Sequence, residues 1–199
     1  ISNSIGLSVL TSSSLRYRLY SSWGLTAVDI ARIVLFTTLT FWLGILTMGG
    51  VVLTLNPLDP HAFPYLTMNS RLLGILLLIP PVAYLLLGVL RRQPLRVGPW
   101  TLPMARLRLA LPQLAVGSLD WMIASTVLYI LLPASAKIDF GQVLGVFLVA
   151  QFAGLISHVP GGLGVFESLV VLLLKNHLPT AHLLGTLLAY RLIYYLLPL

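Results

Sequence analysis

The chain has 199 residues, 58% of them hydrophobic and only 9% charged, and its mean hydropathy is +0.97. Soluble domains carry about 25% charged residues, so this composition excludes a soluble globular domain and describes a polytopic membrane protein. The net charge of +7, from 12 basic and 5 acidic residues, reads as a topology signal and not as a nucleic-acid surface, and the lack of cysteine excludes disulfide and thiolate chemistry.

Residues 1 to 25 are too polar and too short to cross a bilayer, which takes about 20 apolar residues. Ser2, Asn3, Ser4, Gly6 and Ser8 interrupt a short apolar run that leads to Arg16-Tyr17-Arg18. A re-entrant arm or a surface loop fits this pattern. Residues 26 to 132 hold three expected spanning helices. The first covers 26 to 55, with Thr26 as N-cap and Asp29 at the third helical position, a capping-box start. The second covers 70 to 90, with a bend expected at Pro80-Pro81. The third covers 109 to 132, with Asp120 and Trp121 at its middle. Arg91, Arg92, Arg96, Arg106 and Arg108 lie between the second and third spans with no acid among them. Cytoplasmic loops are rich in Lys and Arg, so this loop is expected inside, and residues 56 to 69 and 133 to 139 outside. Contact with anionic lipid is a secondary role for the same arginines.

Residues 141 to 174 form two apolar arms around Ile156-Ser-His-Val-Pro-Gly-Gly-Leu-Gly-Val-Phe-Glu-Ser168. A helix does not run smoothly through Pro160-Gly161-Gly162: proline removes a donor and clashes with the preceding turn, and each glycine costs about 1 kcal/mol. Gly164 adds another breaker. The second arm, 165 to 174, spans roughly 15 Å by helical rise, too short for a hydrocarbon core of about 30 Å. The pair is therefore either a re-entrant hairpin or one long broken helix. Freed backbone groups at membrane depth are tolerated only where protein or water surrounds them, so the break marks a lipid- or solute-handling site. Residues 180 to 199 hold the last expected span, with Arg191 near its middle among Tyr190, Tyr194 and Tyr195. The chain starts at Ile1 without methionine and stops inside an apolar run, and is expected to be a fragment of a longer protein. The fold class expected is an all-α membrane protein, a polytopic helical bundle with re-entrant or broken helices, in a single transmembrane domain over residues 1 to 199.

An internal repeat ties the two ends together. Ile1-Ser2-Asn3 aligns with Ile156-Ser157-His158, and Gly6-Leu7-Ser8-Val9-Leu10 with Gly162-Leu163-Gly164-Val165-Phe166, placing Thr11 on Glu167. Thr26-Ala27 and Thr180-Ala181 open the spans that follow. Three intervening spans invert orientation, the plan of transporters built from inverted repeats with a midplane site.

Ionisable residues at bilayer depth are costly unless paired or hydrated, which singles out Asp120, Glu167 and Arg191. Each also has a plain structural reading. Asp120 or Arg191 fits an ion pair between helices, Glu167 a favourable charge at a helix start, and Arg16 and Arg18 interfacial anchors. His158 fits packing as well as proton relay, and the tyrosines fit packing. Asn3 is the repeat counterpart of His158. Pro160-Gly-Gly-Leu-Gly164 lacks the Lys-Ser/Thr of a phosphate loop, and no His-Glu-x-x-His or nucleophile elbow occurs. No catalytic residue, metal or cofactor is expected.

His158-Val-Pro-Gly-Gly-Leu-Gly-Val-Phe-Glu167 resembles the signature of the lysylphosphatidylglycerol synthase transmembrane region. Ile1 to Gly6, Arg16 to Tyr20 and Leu119-Asp120-Trp121 resemble one branch of it, the bacterial multiple peptide resistance factors, which are bifunctional phosphatidylglycerol lysyltransferases. The resemblance implies a flippase carrying lysylphosphatidylglycerol from the inner to the outer leaflet of the bacterial cytoplasmic membrane, which protects against cationic antimicrobial peptides. It also implies a C-terminal synthase domain in the parent, absent here, that charges the lipid from lysyl-tRNA; that domain would select the headgroup, with alanyl as the alternative to lysyl. Expected partners are the aminoacylated phospholipid and that synthase domain, with self-association left open. Under this reading Glu167 and Asp120 take the ammonium groups, and Arg191 with Arg16 or Arg18 takes the phosphate, for which guanidinium geometry is suited. A small-solute secondary transporter and a membrane scaffold for an enzyme domain are the alternatives.

Overall fold

A computed structural model describes residues 20–56, 69–90, 95–97, 100–102 and 107–196. Asn3, Arg16, Arg18 and the first half of the proposed repeat lie outside the described residues. The helices in chain order are α1 (Ala27–Leu55), α2 (Ser70–Leu90), α3 (Leu107–Leu131), α4 (Phe140–Ile156), α5 (Val165–Leu174) and α6 (Thr180–Arg191). The protein is thus a helical membrane protein. Among the described residues α1, α2 and α3 are long and apolar enough to cross a bilayer. A two-stranded antiparallel ribbon, β1 (Leu95–Val97) with β2 (Trp100–Leu102), sits in the arginine-bearing loop, pairing Leu95 with Leu102 and Val97 with Trp100. The sequence pattern did not suggest it; three-residue strands are too short to show a period.

The helix starts follow local chemistry. Thr26 Oγ1 accepts from Asp29 N–H at 3.3 Å, and Asp29 Oδ2 accepts from Thr26 N–H at 3.3 Å, the reciprocal capping expected. Asp139 Oδ2 accepts from Gly141 N–H at 2.8 Å while Gln142 Oε1 accepts from Asp139 N–H at 3.3 Å, so α4 begins in the same way. Pro80 and Pro81 both lie inside α2, which continues as one helix to Leu90.

The chain divides into two compact units, one of residues 39 to 121 and one of the stretches up to Thr38 and from Met122 onward. In the first unit, backbones meet at glycine. A Cβ on Gly44 would stand 2.5 Å from the carbonyl carbon of Gly117, and one on Gly74 would stand 2.9 Å from Gly50 O. Helices in lipid associate by such close packing, since no hydrophobic drive separates helix from tail. Across the same unit Tyr84 Oη donates to Gln113 Oε1 at 2.7 Å, and Gln113 Nε2 donates to Thr40 Oγ1 at 2.8 Å. Gln113 is buried, and the chain of hydrogen bonds joins α1, α2 and α3. Trp121 Nε1 donates to Phe41 O at 3.4 Å, with the two rings 5.0 Å apart.

The second unit is built around the two arms. α4 and α5 pack against each other, and the turn Pro160–Gly162 packs back on α4. The element is therefore a helical hairpin and not one long helix with a kink. Val143, Phe147, Val170, Leu174, Leu183 and Leu187 form its core. α6 packs on α5, and Thr186 Oγ1 donates to Leu131 O at 3.4 Å, holding α6 to the end of α3. The last expected span differs from its sequence reading. Regular helix ends at Arg191 after 12 residues, and a π-helical turn, Leu192–Leu196, continues it. Such turns widen the helix and occur often at functional positions.

Candidate functional site

The site is the break between α4 and α5. Helix α4 stops because Ser157 turns its hydroxyl back on the chain, donating to Gly154 O at 2.8 Å and accepting from Val159 N–H at 3.3 Å. His158 then takes φ +55°, the left-handed conformation that commonly ends a helix. Its Nδ1 lies 2.6 Å from Ile156 O; a carbonyl only accepts, so Nδ1 carries the proton. His158 is exposed and serves this turn. The proton-relay reading gains no partner from this geometry.

Pro160 opens a single 3-10 turn, and Gly161, Gly162 and Gly164 follow with φ of +62°, +60° and +82°. A side chain at any of them would meet the steric penalty of a positive φ. Gly162 has a second constraint, since a Cβ there would sit 3.3 Å from Gly154 Cα. The break thus folds flat against the arm it leaves.

Glu167 and Arg191 close the break. Glu167 lies in the first turn of α5, where its Oε2 accepts from Gly164 N–H at 2.8 Å. Its Oε1 accepts from Arg191 Nε in a close ion pair, and Arg191 Nη1 donates to Gly161 O at 3.2 Å. One carboxylate and one guanidinium therefore satisfy a backbone donor and a backbone acceptor that the helix ends leave open. The side chains are 19% and 17% exposed, half-buried and within reach of a ligand. The α5 N-terminus adds a favourable field on the carboxylate, worth about 0.3 to 1 kcal/mol.

An aromatic column backs the pair. Tyr190, fully buried beside Arg191, stacks on Phe166 at 5.8 Å and on Tyr194 at 5.4 Å, and Phe147 meets Phe166 edge-on at 5.7 Å. The tyrosines were read as packing residues, and Tyr190 packs. The partnership with Phe147 and Phe166 was not legible, because it depends on how three successive helices fold onto one another.

Asp120 has a different setting. It lies on α3 in the unit of residues 39 to 121, is exposed, and its side chain makes no hydrogen bond or ion pair among the described residues. The carboxylate that meets Arg191 is Glu167. Sequence reasoning missed the buried Tyr84–Gln113–Thr40 chain; a glutamine in an apolar helix was the signal available for it. No group of three or more metal-ligating side chains occurs among the described residues.

No family model matches the chain. It is 43% identical to an uncharacterized protein of Synechocystis over its whole length, which is 62% of that protein. It is 34% identical to the inner membrane protein YbhN of Escherichia coli over 93% of the chain and 58% of that protein. It is also 41% identical to phosphatidylglycerol lysyltransferase of Staphylococcus haemolyticus, over 42% of the chain and 10% of that protein. The chain thus spans about six tenths of the length of the first two relatives.

Proposed function

We propose that this chain moves an aminoacylated phosphatidylglycerol, lysylphosphatidylglycerol by the resemblance and by the lysyltransferase relatives, from the inner to the outer leaflet of a bacterial inner membrane. The observation that carries the reading is a half-buried carboxylate–guanidinium pair at a helix break in an apolar chain. Similarity to phosphatidylglycerol lysyltransferase supports the lipid, and similarity to an inner membrane protein supports the compartment. Buried charges are expensive to keep, so they persist where they have a task or a partner.

The chemistry follows from the headgroup. A lysylated headgroup has one phosphodiester and two ammonium groups, while its acyl chains stay in lipid. Arg191 offers the phosphate a planar donor fork and Glu167 offers an ammonium its acceptor. Asp120, an exposed acid on a membrane-crossing helix, is proposed as an acceptor for ammonium groups of the lipid. Arg16 and Arg18 remain assigned to the phosphate. Delivery of the amine outward lowers the surface's attraction for cationic antimicrobial peptides. The parent protein is proposed to hold a synthase domain as partner, which makes the lipid.

The test is reconstitution of the chain in liposomes containing lysylphosphatidylglycerol in the inner leaflet. Exposure of its amines to an impermeant reagent should rise with time over protein-free vesicles. Amine exposure equal to that of protein-free vesicles overturns the reading, and uptake of a water-soluble ion or metabolite in its place supports the solute-transporter alternative.

A further inference from the structure

The Glu167–Arg191 pair brings one formal charge of each sign to the break, and each charge is also tied to backbone. Glu167 is held by Gly164 N–H at the start of α5, and Arg191 by Gly161 O from the end of α6. If the pair opens, both charges keep an anchor, on two separate elements. What remains is a positive and a negative group, fixed in position, that have lost their pairing with each other. Resting on the translocation reading, we propose that this pair selects headgroups carrying one phosphodiester and at least one ammonium, by exchanging its own two charges for those of the lipid.

The selection follows from charge balance. A purely anionic headgroup, such as that of phosphatidylglycerol, satisfies Arg191 but strands Glu167 beside a phosphate. An uncompensated charge in a half-buried site is strongly unfavourable, more so with a like charge next to it. A headgroup with both signs replaces both partners at once, so nothing is stranded. Phosphatidylethanolamine and alanylphosphatidylglycerol match the pair charge for charge, and a lysylated headgroup meets it with one of its two ammonium groups. In the resting state the closed pair keeps the break neutral, which keeps anionic lipid out without a steric gate.

Liposomes containing the chain and acyl-chain-labelled phosphatidylethanolamine or phosphatidylglycerol test this, with an impermeant reductant reading transbilayer movement. A third set of vesicles carries alanylated phosphatidylglycerol, read by amine labelling. Phosphatidylethanolamine should move at least about tenfold faster than phosphatidylglycerol, a difference of about 1.4 kcal/mol. Alanylated phosphatidylglycerol should move with it. In the double variant Glu167→Gln/Arg191→Gln, whose folding is followed by thermal unfolding, the ratio should fall to about one. Equal rates for the two labelled lipids in the unaltered chain overturn the proposal and leave translocation standing. Movement of the alanylated lipid without phosphatidylethanolamine also overturns it, since the headgroup is then read by more than its charges. A preserved ratio in a folded double variant does the same. If no lipid moves, the translocation reading falls and this proposal with it. If the double variant does not fold, the ratio in the unaltered chain decides alone.

Discussion

At the scale of single residues, Glu167 is held three ways: by Arg191, by Gly164 N–H and by the field of α5. Glu167→Gln keeps an acceptor for Gly164 but leaves the guanidinium without its counter-charge. Removing one partner of a buried pair costs several kcal/mol, and partial exposure reduces this to about 1 to 3 kcal/mol here. The variant should therefore unfold at lower temperature in detergent, and adding Arg191→Gln should recover part of the loss. A midpoint unchanged in Glu167→Gln would show that the pair contributes nothing to stability. The glycines separate two physical causes. Gly161 has φ +62° and ψ +14°, close to the left-handed well, whereas Gly164 has φ +82° and ψ −38°, outside it. A Cβ on Gly164 meets nothing within 4 Å, and one on Gly161 meets only Arg191 Nη1 at 3.8 Å. Space is available at both, so the dihedral angles decide. Gly161→Ala should cost about 1 kcal/mol and Gly164→Ala roughly 2 to 3 kcal/mol, by chemical or thermal unfolding. Equal losses would mean that the backbone relaxes at Gly164.

At the scale of elements, the hairpin of α4 and α5 makes a labelling prediction. Its arms pack together, and its ends connect to residues 133–139 and 175–179. In a membrane the two ends should open on the same, outer side, with the break reaching inward. The chain has no cysteine, so single substitutions give clean probes. Ser135→Cys and His177→Cys, both at exposed positions, should react with an impermeant thiol reagent in intact cells. Reaction of one from outside and the other only after lysis would mean that the arms cross the bilayer, and the inverted repeat would fail with the hairpin.

At the scale of the whole molecule, orientation follows from charge. Five arginines occupy residues 91 to 108 with no acid, while residues 56 to 69 and 133 to 139 hold few bases. Loops rich in Arg stay in the cytoplasm, so Leu95→Cys should be shielded from the impermeant reagent in intact cells and react once they are opened. Labelling in intact cells would invert the orientation and with it the direction of lipid movement proposed above. The buried Tyr84–Gln113–Thr40 chain and the Gly44–Gly117 and Gly50–Gly74 approaches hold the unit of residues 39 to 121 without touching this question.

Local rules are enough for much of this protein. Hydropathy alone marks α1, α2 and α3, because about 20 apolar residues have no other stable use than a membrane crossing. Pro160, Gly161, Gly162 and Gly164 announce the break, and Thr26 with Asp29 announces a helix start, since these depend only on neighbours in the chain. Ten residues, Val165 to Leu174, are legible as an arm too short to span. The tertiary structure alone decided that the arms fold back as a hairpin, that Arg191 meets Glu167 and Gly161 O, and that Phe147, Phe166 and Tyr190 stack. It also set Asp120 on an exposed face, apart from any such pair among the described residues. The side-chain contacts join residues 19 to 43 positions apart, and the rest is a matter of which face a residue occupies on its helix. A nearly all-apolar helix has too little polar contrast to show its buried face, so only packing against neighbours fixes it.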